Sequence, residues 1–288
     1  MDLRLRPARP IRLVAVLLLA LAASDARAQD AAPPALDWKQ GPAVVPVGSV
    51  AEIQLPEYFV ALDQAETRRF LELTQNPQQG NEVAVVASAA EGDSWFLVFE
   101  YDAIGYVRDD EKDALDAEAM LASIREGTAA SNEERKSRGW STMEIVGWQE
   151  EPHYDTATNN LTWAIVGESE QHQTVNKLVK LLGRRGVMTA TLVAGPEQFV
   201  AASATTNQLL GAYQFRAGEQ YADFVEGSDS IAEIGLKGLV LGGVGAALLK
   251  SGMLGKFWKV IVAAVVGLGA GVSKLFGRKK SEGVGTPS

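Results

Sequence analysis

The stretch "VNKLVKLLGRRGVMTATLVAG" (residues 175–195) admits two structures, and the choice between them sets the fold class. Val175, Leu178, Val179 and Leu182 recur at a spacing that suits a helix face as well as a strand. Gly183-Arg184-Arg185-Gly186 resolves the ambiguity. Two glycines bracketing two arginines make a hairpin turn, and "VMTATLV" beyond it is rich in β-branched residues. The stretch is therefore predicted as two antiparallel strands.

Outward from this hairpin, strand signals alternate with helix signals. "EVAVVAS" (82–88) and "SWFLVFEYD" (94–102) read as paired strands, "TMEIVGWQEEPHYD" (142–155) as a strand running into a turn, and "LTWAIVGES" (161–169) as another strand. "AVVPVGSVAEIQLPEYFVAL" (43–62) alternates around Pro46 and Pro56, which predicts short edge strands. "DQAETRRFLELTQN" (63–76) is a helix with Asp63 as N-cap, ended by Asn76-Pro77. A further helix opens at Pro196 and runs to Leu210, and "YQF" (213–215) closes the unit. There is no regular βαβ spacing and no internal repeat, so the fold class is α+β, with antiparallel sheets and interspersed helices.

The densest run of carboxylates, "GYVRDDEKDALDAEAML" (105–121), is read as a helix start. Asp109 or Asp110 caps it with Asp113 bonding back, Ala114, Ala117, Leu121 and Ile124 follow at helical spacing, and Gly127 stops it. A second polar helix, "TAASNEERKSRGW", then ends near Gly139. A calcium loop starting at Asp109 fails, because its sixth position is Ala114 rather than glycine and its twelfth is Met120 rather than glutamate. A cation site of another kind, or a functional acid, is the competing use of these carboxylates.

The two ends of the chain predict a location. Arg4, Arg6, Arg9 and Arg12 precede the apolar run Leu13–Ala23, and Ala26-Arg27-Ala28 offers a cleavage site, so residues 1–28 are expected to be a signal peptide. Near the other end, Leu254–Val272 is long enough to span a bilayer if Lys256 and Lys259 snorkel, and Lys274, Arg278, Lys279 and Lys280 follow it. The expected order is an exported α+β domain over 29–233, a membrane segment over 234–276 and a basic cytoplasmic tail over 277–288. The membrane segment is either an interfacial helix plus one span or a helical hairpin. This places the chain in the bacterial inner membrane with its main domain in the periplasm.

Composition excludes several functions. From Gln29 to Glu233, 14 Lys+Arg face 33 Asp+Glu, a formal charge of −19 that repels nucleic acid. The absence of cysteine removes disulfides, thiolate metal sites and a cysteine nucleophile. No HExxH, GxSxG or P-loop occurs, and no catalytic residue, cofactor or metal is expected. The candidates for a ligand site are the Arg184/Arg185 pair, Tyr106, Arg108 and Asp109 beside the acidic run, and His153 among Glu150, Glu151 and Asp155. Each has a plainer explanation as a solvated turn or an internally paired charge.

Taken together, "YDAIGYVRDDE", "SNEERKSRGW", "VGWQEEPHYD", "LGRRGVM" and "GEQYADFVEGSDSIAEIGL" resemble a bacterial family of membrane-anchored proteins, catalogued as domain of unknown function 2167. The resemblance runs from about Trp38 to about Lys280. It implies a signal-bearing, membrane-anchored envelope protein and assigns no catalytic residue. The order of strands, glycine-containing turn, strand and helix ending near "AYQF" is also similar to PsbP-like α+β units. The expectation is a non-enzymatic envelope protein that binds a protein or small ligand. The alternative is a periplasmic enzyme, such as a hydrolase, using carboxylates near Asp109 with His153 or Arg184/Arg185.

Overall fold

The computed structural model describes residues 36–240, apart from Pro77 and Gln171. The predicted signal peptide, the span Leu254–Val272 and the basic tail lie outside the described residues. Among those described, no helix is long and apolar enough to cross a membrane.

Eleven strands and four α-helices make up this part of the chain. The strands are β1 (Lys39–Gln40), β2 (Ala43–Val47), β3 (Ala51–Leu55), β4 (Phe59–Leu62), β5 (Glu82–Ser88), β6 (Phe96–Asp102), β7 (Glu144–Asp155), β8 (Asn160–Ser169), β9 (His172–Leu182), β10 (Val187–Ala194) and β11 (Tyr213–Phe215). The helices are α1 (Gln64–Leu73), α2 (Ala117–Ser137), α3 (Phe199–Gly211) and α4 (Leu236–Val240). Eight strands form one sheet in the order β1-β4-β5-β6-β10-β9-β8-β7, and three form a second in the order β11-β3-β2. Every pairing between named strands is antiparallel, so the fold is α+β.

The deciding stretch forms two strands, β9 and β10, in register from Leu182↔Val187 to Val175↔Ala194. Both are buried over most of their length, because each face of the large sheet is covered. One face carries α3 and the small sheet, whose Ile53, Leu55, Phe199 and Leu209 pack on Leu97, Phe99, Met188 and Leu192. The opposite face carries two separate apolar clusters. Phe70 and Leu71 of α1 pack there on Phe96 and Val98 of β6. Met120 and Ile124 of α2, with Leu236, Leu239 and Val240 of α4, pack there on Leu161, Trp163 and Leu178. Residues 234–240, assigned from sequence to the membrane segment, thus pack against the body.

Between those two clusters the large sheet presents a polar row. The ladder sets Glu82 opposite Glu100, Glu100 opposite Thr189, and Thr189 opposite Lys180, so all four side chains share a face. All four are buried, and the Lys180 amine donates to the Thr189 hydroxyl at 2.8 Å.

Several expectations need correction. The acidic run does start a helix, but its cap is Asp116, which accepts from the Ala119 amide at 3.0 Å, and not Asp109 or Asp110. Asp113 lies in a turn of 3-10 helix at Lys112–Ala114. Gly127 does not stop the helix; it is buried within α2, which continues unbroken for 21 residues. The third helix begins at Phe199 rather than at Pro196. Only β2 of the strands around Pro46 and Pro56 is an edge, since β3 and β4 each have neighbours on both sides. Pro46 tolerates its place because an edge strand does not need its missing N–H.

Candidate functional site

A cleft of about 350 Å³ opens at the end of the large sheet where β9 turns into β10. Three segments distant in sequence build it: the β7–β8 turn, β11 with the end of α3, and a 3-10 turn at Tyr221–Asp223.

The β7–β8 turn is held by Asp155. Its carboxylate accepts from the Ala157 amide at 2.9 Å and from the Thr158 hydroxyl at 2.8 Å. Those bonds, the backbone one foremost, hold its pKa below the usual carboxylate range. Asn159 follows with a left-handed backbone, φ +54°, which asparagine adopts at smaller cost than most residues. The turn thereby offers the amides of Asn159 and Asn160 to the cleft. Asn159 Oδ1 accepts from the Tyr154 hydroxyl at 3.4 Å, which leaves its NH₂ group for other partners.

The opposite wall is β11, seated on β3 through Tyr213↔Ile53 and Phe215↔Ala51. Gln214 donates from Nε2 to Glu52 at 2.8 Å, so its carbonyl oxygen is the end left over. Gln220 caps the following 3-10 turn and exchanges bonds with Asp223. Tyr221 then stacks on Tyr106 at 4.5 Å and donates its hydroxyl to the Val107 carbonyl at 3.0 Å. Tyr106 lies in turn against Phe224 at 4.0 Å. Tyr221 is therefore a fixed aromatic wall. Burial, reinforced by its bond to Tyr106, raises its pKa, and burial likewise raises that of Tyr213.

Of the residues marked in the sequence, the structure brings Tyr106 and Asp109 together behind this wall. Asp109 lies beside the Tyr154 hydroxyl, which burial and that carboxylate hold above the ordinary tyrosine range. Arg108 is exposed. Arg184 is held in a two-pronged ion pair with Asp229, at 2.7 and 3.0 Å, and donates to the Gly218 carbonyl at 3.2 Å. Arg185 pairs with Glu219. His153 is exposed on β7, its Nδ1 3.3 Å from the Glu151 carbonyl. Strand alternation turns it to the opposite face from Tyr154, so His153 and Asp109 do not meet on one face. Among the described residues, no group of three His, Cys, Asp or Glu side chains is placed to hold a metal ion.

Asn159, Asn160, Gln214, Gln220 and Tyr221 were not marked as site residues from sequence, although Gln220 and Tyr221 lie in the family stretch "GEQYADFVEG". The Asn159-Asn160 doublet after a strand marks a turn but not a site, and the family stretch assigns no role to its residues.

A family model described as "Protein of unknown function (DUF2167)" matches residues 39–272. No curated protein matches the chain. Among solved structures, the solution structure of cyanobacterial PsbP (CyanoP) from Synechocystis sp. PCC 6803 is similar at a TM-score of 0.37 and 10% identity. That likeness covers 63% of this chain and 92% of that chain, and at this score it carries no argument.

Proposed function

The chain belongs to the DUF2167 family, and we propose that it is a non-enzymatic binding protein of the cell envelope, tethered to the inner membrane with its acidic domain in the periplasm. One observation carries the binding part. The cleft is lined by amide, hydroxyl, aromatic and aliphatic side chains, and no histidine, carboxylate, lysine or arginine lines it. Acid–base chemistry needs a group that exchanges its proton near the working pH. The tyrosines lining the cleft are pushed further from neutrality, so it is suited to holding a neutral molecule and not to moving protons. The tether rests on the sequence: the apolar leader, the span Leu254–Val272 and the basic residues after it.

A photoreactive amino acid at Asn160, in the full-length chain in its own membranes, tests this function. Irradiation is expected to give a discrete adduct from Asn160 and none from a control at Val200, which is 80% exposed on α3. Absence of an adduct from the cleft, or the same adduct from both positions, would reject it.

A further inference from the structure

We infer that the ligand of this cleft is a neutral saccharide unit, an inference that rests on the binding function just proposed. A pyranose ring has two chemically distinct surfaces. Its faces carry C–H groups and are apolar; its rim carries hydroxyls, each both donor and acceptor. A site that suits it needs a rigid aromatic face for the ring and uncharged groups of mixed polarity for the rim.

The cleft supplies both. Tyr221 is immobilised by Tyr106 on one face of its ring and by Val107 at its hydroxyl, so it stands as a fixed aromatic side chain in the cleft lining. Four amide residues line the same cleft, with unequal remaining capacity. Asn159 retains its NH₂ donors, because its oxygen takes the Tyr154 hydroxyl. Gln220 likewise retains donors, since its side chain accepts from the 3-10 turn. Gln214 retains an acceptor, because its NH₂ serves Glu52. Asn160 offers an amide of both kinds. The lining residues thus supply both donors and acceptors beside one aromatic side chain, as a row of hydroxyls requires.

Charge narrows the class. The domain's formal −19 repels uronates, phosphosugars and other anionic glycans. Of the arginines beside the lining residues in sequence, Arg184 and Arg185 are occupied by Asp229 and Glu219, and Arg216 donates to the Ser49 carbonyl at 3.1 Å. A cationic ligand would find no carboxylate in the lining. A peptide held by strand addition needs a longer edge than β11, which has three residues. The volume, about 350 Å³, is at the small end for ligand sites and suits one or two sugar rings rather than a long chain.

The test is saturation-transfer NMR on the full-length protein in phospholipid nanodiscs, which avoids glycoside detergents. The probes are maltotriose, cellotriose and tri-N-acetylchitotriose. At least one is expected to bind with saturation strongest on its ring C–H protons, and Asn160→Ala and Gln214→Ala are each expected to weaken it about fivefold or more. Tyr221→Phe keeps the aromatic face and is expected to retain binding, whereas Tyr221→Ala is expected to abolish it; the Phe variant separates loss of the ring from loss of the fold. Binding that ignores all of these substitutions would place the sugar elsewhere and overturn the inference. If none of the three sugars binds while photoreactive Asn160 still captures an adduct, the ligand class is wrong but the binding function stands. If neither sugar nor adduct is seen, both fall.

Discussion

Burial pushes the Glu100 carboxyl up to about 8; the Lys180 amine beside it opposes that shift, and Asp102 and Glu82 add to it. The unfolded chain releases this proton near the ordinary glutamate value, several pH units lower. Between those two values the folded state holds the proton that the unfolded state has lost. Stability from this group is therefore fully present in acid, falls as pH rises through the window, and stays low above about 8. Glu100→Gln is expected to flatten the dependence of urea-unfolding stability on pH between 5 and 8.5, and to exceed the parent at the alkaline end. A variant with the parent's slope would show that Glu100 is ionised in the fold. A second prediction concerns Asp116. Its replacement by alanine should cost about 1 kcal/mol by thermal melts, because the Ala119 amide loses its acceptor, while Asp110→Ala should cost no cap. The sequence announced a helix start in this region but not which acid begins it. Asp109, Asp110, Asp113 and Asp116 are all able to cap. Glu111, at the start of the 3-10 turn, accepts from the Lys237 amide at 3.0 Å, a contact from far along the chain that no local pattern announces.

Helices and strands were legible where local signals agreed. Asp63 caps α1 as its position implied, accepting from the amides of Ala65 and Glu66. The β9–β10 hairpin followed from its turn residues rather than from its ambiguous apolar spacing. α2 escaped, because a lone glycine is a strong local stop but a cost of only about 1 kcal/mol when tertiary contacts carry the helix through it. Those contacts are Met120 and Ile124 on the sheet and, past the glycine, buried Arg135, which donates to the Gln75 and Ser141 carbonyls. The same hairpin yields a test. A Cβ on Gly186 would lie 2.2 Å from the Asp102 carbonyl oxygen, at the point where β10 meets β6. Gly186→Ala is thus expected to destabilise by about 1–3 kcal/mol through overpacking. Gly147→Ala, on β7 with nothing within 4 Å of its Cβ, is the control and should melt close to the parent. Equal melting temperatures for the two variants would mean that the β6–β10 junction yields more freely than its geometry implies.

Across the whole molecule, the class of fold was legible, but the order of the strands was not. β6 joins β10 across roughly ninety residues, a pairing that no local pattern announces. The cleft was illegible for a related reason: its lining comes from residues 158–160, 181–182, 210, 213–215 and 220–222, all neutral, whereas sequence inspection is drawn to charge and histidine. The tether makes the prediction at this scale. A fluorescent reporter fused after Ser288 is expected to be active in the cytoplasm, and an alkaline phosphatase at the same place inactive, because four basic residues follow Val272. The opposite pair of outcomes would replace the single span by a hairpin. The segment 220–240 has a mechanical consequence. It carries Tyr221 in the cleft wall, Phe224 against Tyr106, Asp229 clamped to Arg184, and finally Leu236, Leu239 and Val240 in the core. A pull on the chain beyond Val240 would be borne first by that core plug, then by the ion pair, and only last by the aromatic wall. Fasteners arranged in series damp a load before it reaches the far end, so the cleft should keep its shape while the other end of the chain is jostled.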